Sequence, residues 1–236
     1  MSSLQSIHSL HARAATLAFI TMAASSPTFA STLSANVALT SDYVWRGSSQ
    51  SQGDAAVQAG MRSSSDTGWY GAVWGSSVEF AAETEASAEF DLALGWSGAL
   101  GDGWILDVNL THYRYPATTV DLDWTEVIGM LTWKDRYWAQ LGMSNDVLGS
   151  DEHGTYVQIG ARIPFAERFR IETALGHYAL DDAYGESYRH AQLGVVWVVR
   201  PPLELRLSAH DTSTSAQRLF PGLAGSRVEA AVQATF

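Results

Sequence analysis

His210, Asp211 and Ser213 lie close together near the end of the chain and are the residue types of a serine hydrolase. Their spacing weakens that interpretation, because adjacent residues of a β-strand point to opposite faces. His210 and Asp211 can orient one another only if the strand has already ended. A hydrolase therefore stays as the enzymatic alternative, while we expect a protein that is not an enzyme and has no catalytic residues.

Beyond residue 30, the other side chains that could act as a base or a metal ligand are four histidines, at positions 112, 153, 177 and 190. None has a second ligand at the spacing that a metal site requires, and most lie near the ends of predicted strands. The chain has no cysteine and no glycine-rich phosphate loop. The sequence therefore predicts no disulfide, no metal and no cofactor.

Asp42 and Arg46 lie four residues apart, so in a strand they share a face. Two opposite charges placed in this way can grip a charged ligand. They can equally form salt bridges to neighbouring strands, and the spacing favours this second interpretation.

Residues 1–30 have the composition of a secretory signal. Arg13 ends a weakly basic start, residues 14–24 are apolar, and Thr28-Phe29-Ala30 offers small residues for cleavage near Ala30. The apolar stretch is shorter than the roughly 20 residues of a membrane helix, so cleavage is expected rather than anchoring. The mature chain, residues 31–236, is then a single exported domain.

Period-2 alternation of apolar and polar residues recurs through the mature chain and indicates β-strands. No stretch of it supplies a membrane helix, so strands must cross any membrane. We identify twelve segments: 33–45, 55–62, 69–79, 88–96, 104–115, 124–133, 137–144, 156–163, 171–178, 188–199, 203–210 and 227–236. Short turns and longer loops alternate between them, which is typical of an up-and-down barrel. The prediction is an all-β, antiparallel transmembrane β-barrel of about twelve strands, with ten or fourteen as alternatives.

Aromatic residues mark both ends of the predicted strands. An even strand count puts both termini on the periplasmic rim, and aromatic rings prefer the interfaces of a bilayer. The final strand alternates faces and ends on Phe236, as a closing outer-membrane strand does, and barrel assembly machinery is its expected partner. The predicted periplasmic girdle consists of Trp69, Trp96, Trp104, Trp133, Tyr137, Trp197 and Phe236.

The polar faces of the strands give the expected lining of the barrel lumen. Acids outnumber arginines there, which favours cations over anions in a conducting lumen. The alternative is that the charges pair across strands and plug the interior. The lining candidates are Asp42, Arg46, Arg62, Glu79, Glu89, Asp91, Asp107, Glu126, Arg162, Glu172, Glu204, Arg206, Arg227 and Glu229.

Several short motifs resemble the TorF-type porin family, also called the Gcw family of proteobacterial exported proteins. They are Ser41-Asp42-Tyr43-Val44-Trp45-Arg46-Gly47, Gly71-Ala72-Val73-Trp74-Gly75-Ser76 and Tyr113-Arg114-Tyr115-Pro116. Val73 stands where the cysteine of the family's Gly-Cys-Trp block is expected, which removes any thiol-based function. The resemblance implies an exported barrel in the outer membrane of a Gram-negative bacterium, with a channel as its expected activity.

The charge balance limits the partners. The formal charge is -11, and removal of Arg13 with the acid-free signal takes it from -11 to -12. Nucleic acid is therefore not expected as a partner, because its phosphates require a basic surface. The expected partners are outer-membrane lipid and small solutes. The sequence predicts a porin-like channel for passive passage of small polar or cationic solutes; a plugged structural barrel without conductance is the main alternative.

Overall fold

The computed structural model describes residues 31–236, and the predicted signal peptide lies outside them. Twelve strands form one closed antiparallel barrel, in which each strand pairs with its neighbours along the chain. The last strand pairs with the first and closes the cylinder. The predicted fold class and the strand count of twelve are therefore confirmed.

The barrel strands are numbered here in chain order. They are β1 (Ser31–Thr40), β2 (Ala56–Ser65), β3 (Trp69–Ser77), β4 (Ala88–Gly101), β5 (Trp104–Arg114), β6 (Trp124–Trp133), β7 (Tyr137–Ser144), β8 (Gly154–Ala166), β9 (Phe169–Ala179), β10 (Tyr188–Arg200), β11 (Leu203–Thr212) and β12 (Arg227–Thr235). The long loops, which also carry the short helices α1 (Asp181–Tyr184) and α2 (Thr214–Leu219), form the outer rim. The tight turns and Phe236 form the opposite rim, which is called the periplasmic rim here after the orientation predicted from the sequence.

Alternation of side chains separates the two faces of the wall. On β1, Leu33, Val37 and Leu39 are exposed on the outer surface, while Thr40 is buried inside. The same apolar face recurs around the barrel, for example at Leu92 and Leu94 of β4. Because a closed barrel leaves no unpaired strand edge, such a belt can face lipid without exposing backbone donors.

Most strands differ from their predicted segments by up to five residues at either end, and two end early enough to take lining candidates out of the wall. β1 ends at Thr40 instead of continuing to Trp45, because the chain leaves the wall there and turns into the barrel. Residues Val44–Trp45 and Ser48–Ser49 then form a separate two-stranded hairpin. β3 ends at Ser77, so Glu79 is an exposed loop residue instead of a wall residue.

No helix within residues 31–236 is both long and apolar enough to span a membrane.

The buried core lies in the outer half of the barrel interior. It is largely aromatic, and its rings come from strand ends and from the loop after β1. Its aromatic members are Tyr43, Tyr113, Tyr115, Trp124, Tyr156, Tyr178 and Tyr188, with Trp45 packed against them. The barrel interior is therefore packed with side chains near the outer rim.

Candidate functional site in the barrel interior

The loop after β1, residues 41–55, folds into the barrel and is called the inner loop below. Asp42, Arg46 and Ser49 on this loop are almost completely buried. The hydroxyl of Tyr188 on β10, three strands from β1 around the barrel, donates to the carbonyl oxygen of Arg46 at 3.0 Å, and Arg46 also pairs with Glu126 on β6, five strands from β1 in the other direction. The inner loop therefore reaches across the lumen instead of standing above the outer rim.

A two-residue turn, Arg46-Gly47, forms the tip of the hairpin in the inner loop. Both residues have positive φ, 47° for Arg46 and 84° for Gly47, as a type I′ hairpin turn requires. A Cβ atom on residue 47 would lie 2.6 Å from Cβ of His190 and 2.8 Å from Cγ2 of Thr212. Glycine is needed here for both its conformation and its small size. The tip is therefore pressed against β10 and β11.

Arg46 forms a buried ion pair with β6. Its Nη2 donates to Oε2 of Glu126 at 2.6 Å, and the exposed fractions of the two side chains are 4% and 1%. Tyr113 also donates to Glu126 Oε2, at 3.2 Å. Burial acts to lower the pKa of Arg46, but Tyr178 and Glu126 outweigh it and hold that pKa above its usual value. The guanidinium is therefore charged inside the barrel.

Three aromatic rings enclose the Arg46 guanidinium. Its central carbon lies 3.9 Å from the ring centre of Tyr156, 4.2 Å from that of Trp45 and 4.7 Å from that of Tyr178. The negative faces of aromatic rings attract a cation, most strongly where water is excluded. Gly142 makes space for the carboxylate, because a Cβ there would lie 2.8 Å from Cδ of Glu126. The wall is thus shaped around the ion pair.

Asp42 anchors the other end of the inner loop. Its Oδ2 lies 2.6 Å from Nη1 of Arg227 on β12, and its Oδ1 accepts from the hydroxyl of Ser49 at 2.6 Å. Asp42 and Arg46 both lie in the inner loop, but they do not pair with each other. Asp42 pairs with β12 and Arg46 with β6. The spacing of four had suggested a pair with a common face, and the turn into the lumen separates their partners.

Two further acids lie beside the inner loop on β4. Glu89 is 3% exposed and accepts from the hydroxyl of Tyr115 at 2.9 Å. Among the residues that the structure describes, Oε2 of Glu89 and Oδ1 of Asp91 have no hydrogen-bond partner. Burial, followed by the charges of Glu89 and Asp91, raises the pKa of Tyr43 in the inner loop. This side of the interior therefore carries two acids without a neighbouring arginine in the hydrogen-bond network.

His210 and Asp211, which the hydrolase alternative requires as a pair, have separate hydrogen-bond partners. Nε2 of His210 lies 2.9 Å from Oε2 of Glu229, inside the barrel. Asp211 points outward and accepts from the hydroxyl of Ser226 at 2.6 Å. The strand continues to Thr212, so His210 and Asp211 keep the opposite orientations that strand geometry imposes.

The periplasmic half of the interior carries a second charged group, called the arginine cluster. Glu172 contacts Arg162, Arg170 and Arg206, while Arg170 also contacts Glu204 at 2.7 Å. Arg170 was missing from the predicted lining, although it lies two residues before Glu172 on the same face. Its alternation with Glu172 is the sequence signal that could have found it.

Arg62 and Asp107 form the opposite side of this half. They lie 3.4 Å apart, and Tyr70 donates to Asp107 at 2.7 Å. The side chains of Arg62 and Arg162 are 35% and 47% exposed, against 4% for Arg46. The interior is therefore accessible to solvent in the periplasmic half and densely packed at the inner loop.

The predicted girdle residues lie at the periplasmic rim. Trp104, Trp133 and Tyr137 contact one another in sequence, with ring centres 6.0 and 5.7 Å apart. Trp69 is exposed and pairs across strands with Trp96, whereas Trp197 stacks on Phe169. Phe165 and Phe169 also belong to this exposed aromatic group and were not in the prediction, which counted chiefly tryptophans. Phe236 is the most exposed of them, at 69%.

A closed antiparallel barrel with an apolar outer belt, a rim of aromatic rings and a charged interior defines an outer-membrane β-barrel protein of the porin type. Solved porins share this fold. The chain is similar to the KdgM porin, with a TM-score of 0.53 and 7% sequence identity over 86% of this chain and 99% of that one. It is also similar to the NanC porin, with a TM-score of 0.55 and 9% identity over 87% and 99% of the two chains. At these identities the likeness concerns the fold alone.

Residues 23–236 match the model of the family described as "Bacterial protein of unknown function (Gcw_chp)". The chain therefore belongs to the Gcw_chp family, as the sequence motifs had indicated. No curated protein matches it. The inner loop includes the Asp42-Tyr43-Val44-Trp45-Arg46-Gly47 motif on which that resemblance rested, which gives the motif a location in the barrel interior.

Proposed function

We propose that this protein is an outer-membrane channel for passive passage of small polar or cationic solutes, with the inner loop as its constriction. The observation that carries the proposal is the charge around that loop. Five acids face two arginines there, and an excess of carboxyl groups at a narrow site favours cations. These residues are Asp42, Glu89, Asp91, Glu126 and Glu229, against Arg46 and Arg227.

The periplasmic half has a different balance. Four arginines face three acids, and these side chains are partly exposed to solvent. Charges in a wide aqueous space are screened within roughly 8–10 Å at physiological salt. Selectivity should therefore arise at the inner loop, where screening is weakest. The residues of this half are Arg62, Arg162, Arg170 and Arg206, against Asp107, Glu172 and Glu204.

A closed barrel without conductance is the second candidate, and the near-complete burial of Arg46 and Glu126 favours it. In that case the inner loop is a permanent plug, and its ion pairs serve stability and assembly. The two candidates differ in whether a path for ions passes the inner loop.

We also propose that the protein is not an enzyme. The opposite orientations of His210 and Asp211, together with the pairing of His210 with Glu229, support this proposal. Purified protein should not hydrolyse lipid or peptide substrates. Any hydrolysis by the parent that is lost in His210→Ala would contradict the proposal.

The proposed partners follow from the surface. The apolar belt suits outer-membrane lipid, and the barrel assembly machinery would recognise β12 through its terminal Phe236. Backbone bonds of 3.0 and 2.8 Å join Phe236 to Ala35 on β1, so the same residue also closes the barrel. Export with signal-peptide cleavage near Ala30 remains a prediction that N-terminal sequencing of the mature protein can test.

Conductance in planar bilayers is the decisive experiment. Three proteins are compared: the parent, a variant with residues 43–52 replaced by a short Gly-Ser link, and a control with outer-loop residues 117–121 shortened in the same way. The proposal expects cation-preferring steps from the parent and larger steps from the inner-loop variant. The control should conduct like the parent.

The alternative has a distinct outcome. A silent parent with a conducting inner-loop variant would support a permanently plugged barrel. Silence of all three folded proteins would overturn the channel proposal altogether.

A further inference from the structure

A cavity of about 220 Å³ lies on the outer side of the inner loop. It is called the outer cavity here. Its walls come from the inner loop and from the outer ends of strands and their loops. Six of its aromatic lining residues are Trp45, Phe80, Tyr115, Trp124, Tyr178 and Phe220. The outer cavity is separate from the arginine cluster, which lies toward the opposite rim.

None of the residues that line the outer cavity carries a formal charge. Several polar side chains of the lining are already engaged. The hydroxyl of Ser49 donates to Asp42, and the amide of Gln50 donates to the carbonyl oxygen of Ser48 at 3.2 Å. Entry of an ion would leave its charge uncompensated, at a cost of several kcal/mol. A ligand of this cavity is therefore neutral.

The aromatic walls and the scarcity of polar groups also limit the shape of the ligand. Aromatic rings favour partners that present a flat face or a ring edge. A sugar ring could stack in the same way, but its hydroxyl groups would need several polar partners, and an unpaired buried hydroxyl is costly. An aromatic ring has no such requirement. The lining therefore fits an aromatic ligand better than a sugar.

Two buried polar atoms in the lining, the indole Nε1 of Trp124 and the hydroxyl of Tyr178, have no hydrogen-bond partner within residues 31–236. Trp124 is 2% exposed, and within residues 31–236 its indole Nε1 has no hydrogen-bond acceptor. Buried donors are normally paired, so an acceptor on a ligand would satisfy this group. To pair with Trp124, the ligand needs one hydrogen-bond acceptor, such as a carbonyl oxygen, attached to its ring.

The volume sets the size of the ligand. An engineered apolar cavity of about 150 Å³ holds one benzene molecule in another protein. The outer cavity, at about 220 Å³, has space for one ring with a small substituent. We propose that the outer cavity binds a neutral, single-ring aromatic molecule whose acceptor group pairs with Trp124 Nε1. This inference goes beyond the proposed channel, because binding at this site does not require conduction.

Benzamide is a suitable probe, because it is neutral, soluble, has one ring and carries a carbonyl acceptor. Isothermal titration of the purified barrel in micelles, corrected with protein-free micelles, should show saturable binding. Benzoate should bind at least tenfold more weakly because it is charged. Methyl glucopyranoside should also bind more weakly, because its hydroxyl groups find few partners.

Four variants locate the site. Leu122→Trp fills the cavity and should abolish binding, and Phe220→Ala removes part of the wall and should weaken it roughly tenfold. Trp124→Phe keeps a ring but removes the donor, and should weaken binding roughly fivefold. Phe165→Ala changes the same residue type at the opposite rim and should leave binding unchanged.

The proposal is overturned if the parent shows no saturable binding, or if Leu122→Trp binds benzamide as tightly as the parent. Tighter binding of the glucoside than of benzamide would also overturn it in favour of a sugar site. Binding that is retained in Phe220→Ala but lost in Phe165→Ala would place the ligand at the membrane rim. None of these outcomes bears on conductance, so failure here and failure of the channel proposal are distinguishable.

Discussion

Arg46 and Glu126 are 80 positions apart in the sequence and 2.6 Å apart in the barrel, where Nη2 of the arginine donates to Oε2 of the acid. This contact fastens the tip of the inner loop to β6. Because the same guanidinium lies against Tyr156 and Tyr178, one side chain connects the loop to several parts of the wall. The pair is thus the main attachment of the proposed constriction.

Removal of either partner should destabilise the barrel. Arg46→Ala or Glu126→Ala leaves a buried charge unpaired, which typically costs about 3–5 kcal/mol. The double variant should lose much less than the sum of the two single losses, since it leaves neither charge behind. Urea-induced unfolding in lipid vesicles measures these free energies of unfolding.

An exposed ion pair provides the control for this experiment. Arg218 and Glu186 lie 2.8 Å apart on the outer loops, in water. Arg218→Ala should leave the unfolding curve unchanged, because exposed pairs contribute little to stability. Equal losses of unfolding free energy for Arg46→Ala and Arg218→Ala would show that the buried pair contributes no more to stability than the exposed pair.

Gly142 should not tolerate a methyl group. In Gly142→Ala the new Cβ overlaps the Glu126 carboxylate and also comes within 3.3 Å of Arg46 Nη2, so the ion pair must shift. Such overpacking typically costs about 1–3 kcal/mol of the free energy of unfolding. Gly129→Ala on the adjacent strand is the matched control, since its Cβ has nothing within 4 Å. Similar unfolding midpoints for the two variants would contradict a tightly packed pair.

Cation preference should depend on Glu89 more than on Glu204. Glu89→Gln removes a buried carboxyl group beside the inner loop with little change of shape. Glu204→Gln removes one from the partly exposed arginine cluster, where water and salt screen it. The ratio of cation to anion permeability, taken from reversal potentials across a salt gradient, should fall clearly for Glu89→Gln. A larger fall for Glu204→Gln would place the selective region in the periplasmic half.

Phe236 should contribute to closure of the barrel through its backbone and to assembly in cells through its ring. Deletion of Phe236 removes both backbone bonds to Ala35, whereas Phe236→Ala keeps them and loses only the ring. Heat-modifiable migration on gels measures folding in vitro, and the outer-membrane fraction of cells measures assembly. We expect deletion to impair both, and Phe236→Ala to impair assembly in cells while folding in vitro persists. Normal assembly of Phe236→Ala would argue against recognition of the terminal ring.

The arrangement of the wall followed closely from local sequence. The segments at 124–133 and 137–144 coincide with β6 and β7, and even the weak segment at 55–62 is a strand. Lipid on one side and a polar interior on the other impose a strict alternation, which is visible in any short window. Strand ends were less certain, because β1 stops where the chain leaves the wall, and alternation alone does not mark that point.

The pairing of the interior charges could not be read from the sequence. The alternation placed Arg46 and Glu126 among the lining candidates, but nothing local indicated that the loop bearing Arg46 turns inward through the Arg46-Gly47 turn. Asp42 and Arg46 illustrate the limit, since their spacing suggested one shared strand face and the structure gives them separate partners on β12 and β6.

The sequence by itself determined a twelve-stranded barrel with aromatic residues along the rim of tight turns, since these features depend on repeated local contrasts between lipid, water and interface. Only the tertiary structure decided that the inner loop lies in the outer half of the lumen, that the periplasmic half stays open, and that a neutral aromatic cavity lies beyond the loop. Those features depend on contacts between residues far apart in the chain, such as Arg46 with Glu126. Closure of the barrel brings such residues together, and no local sequence pattern indicates which of them will be in contact.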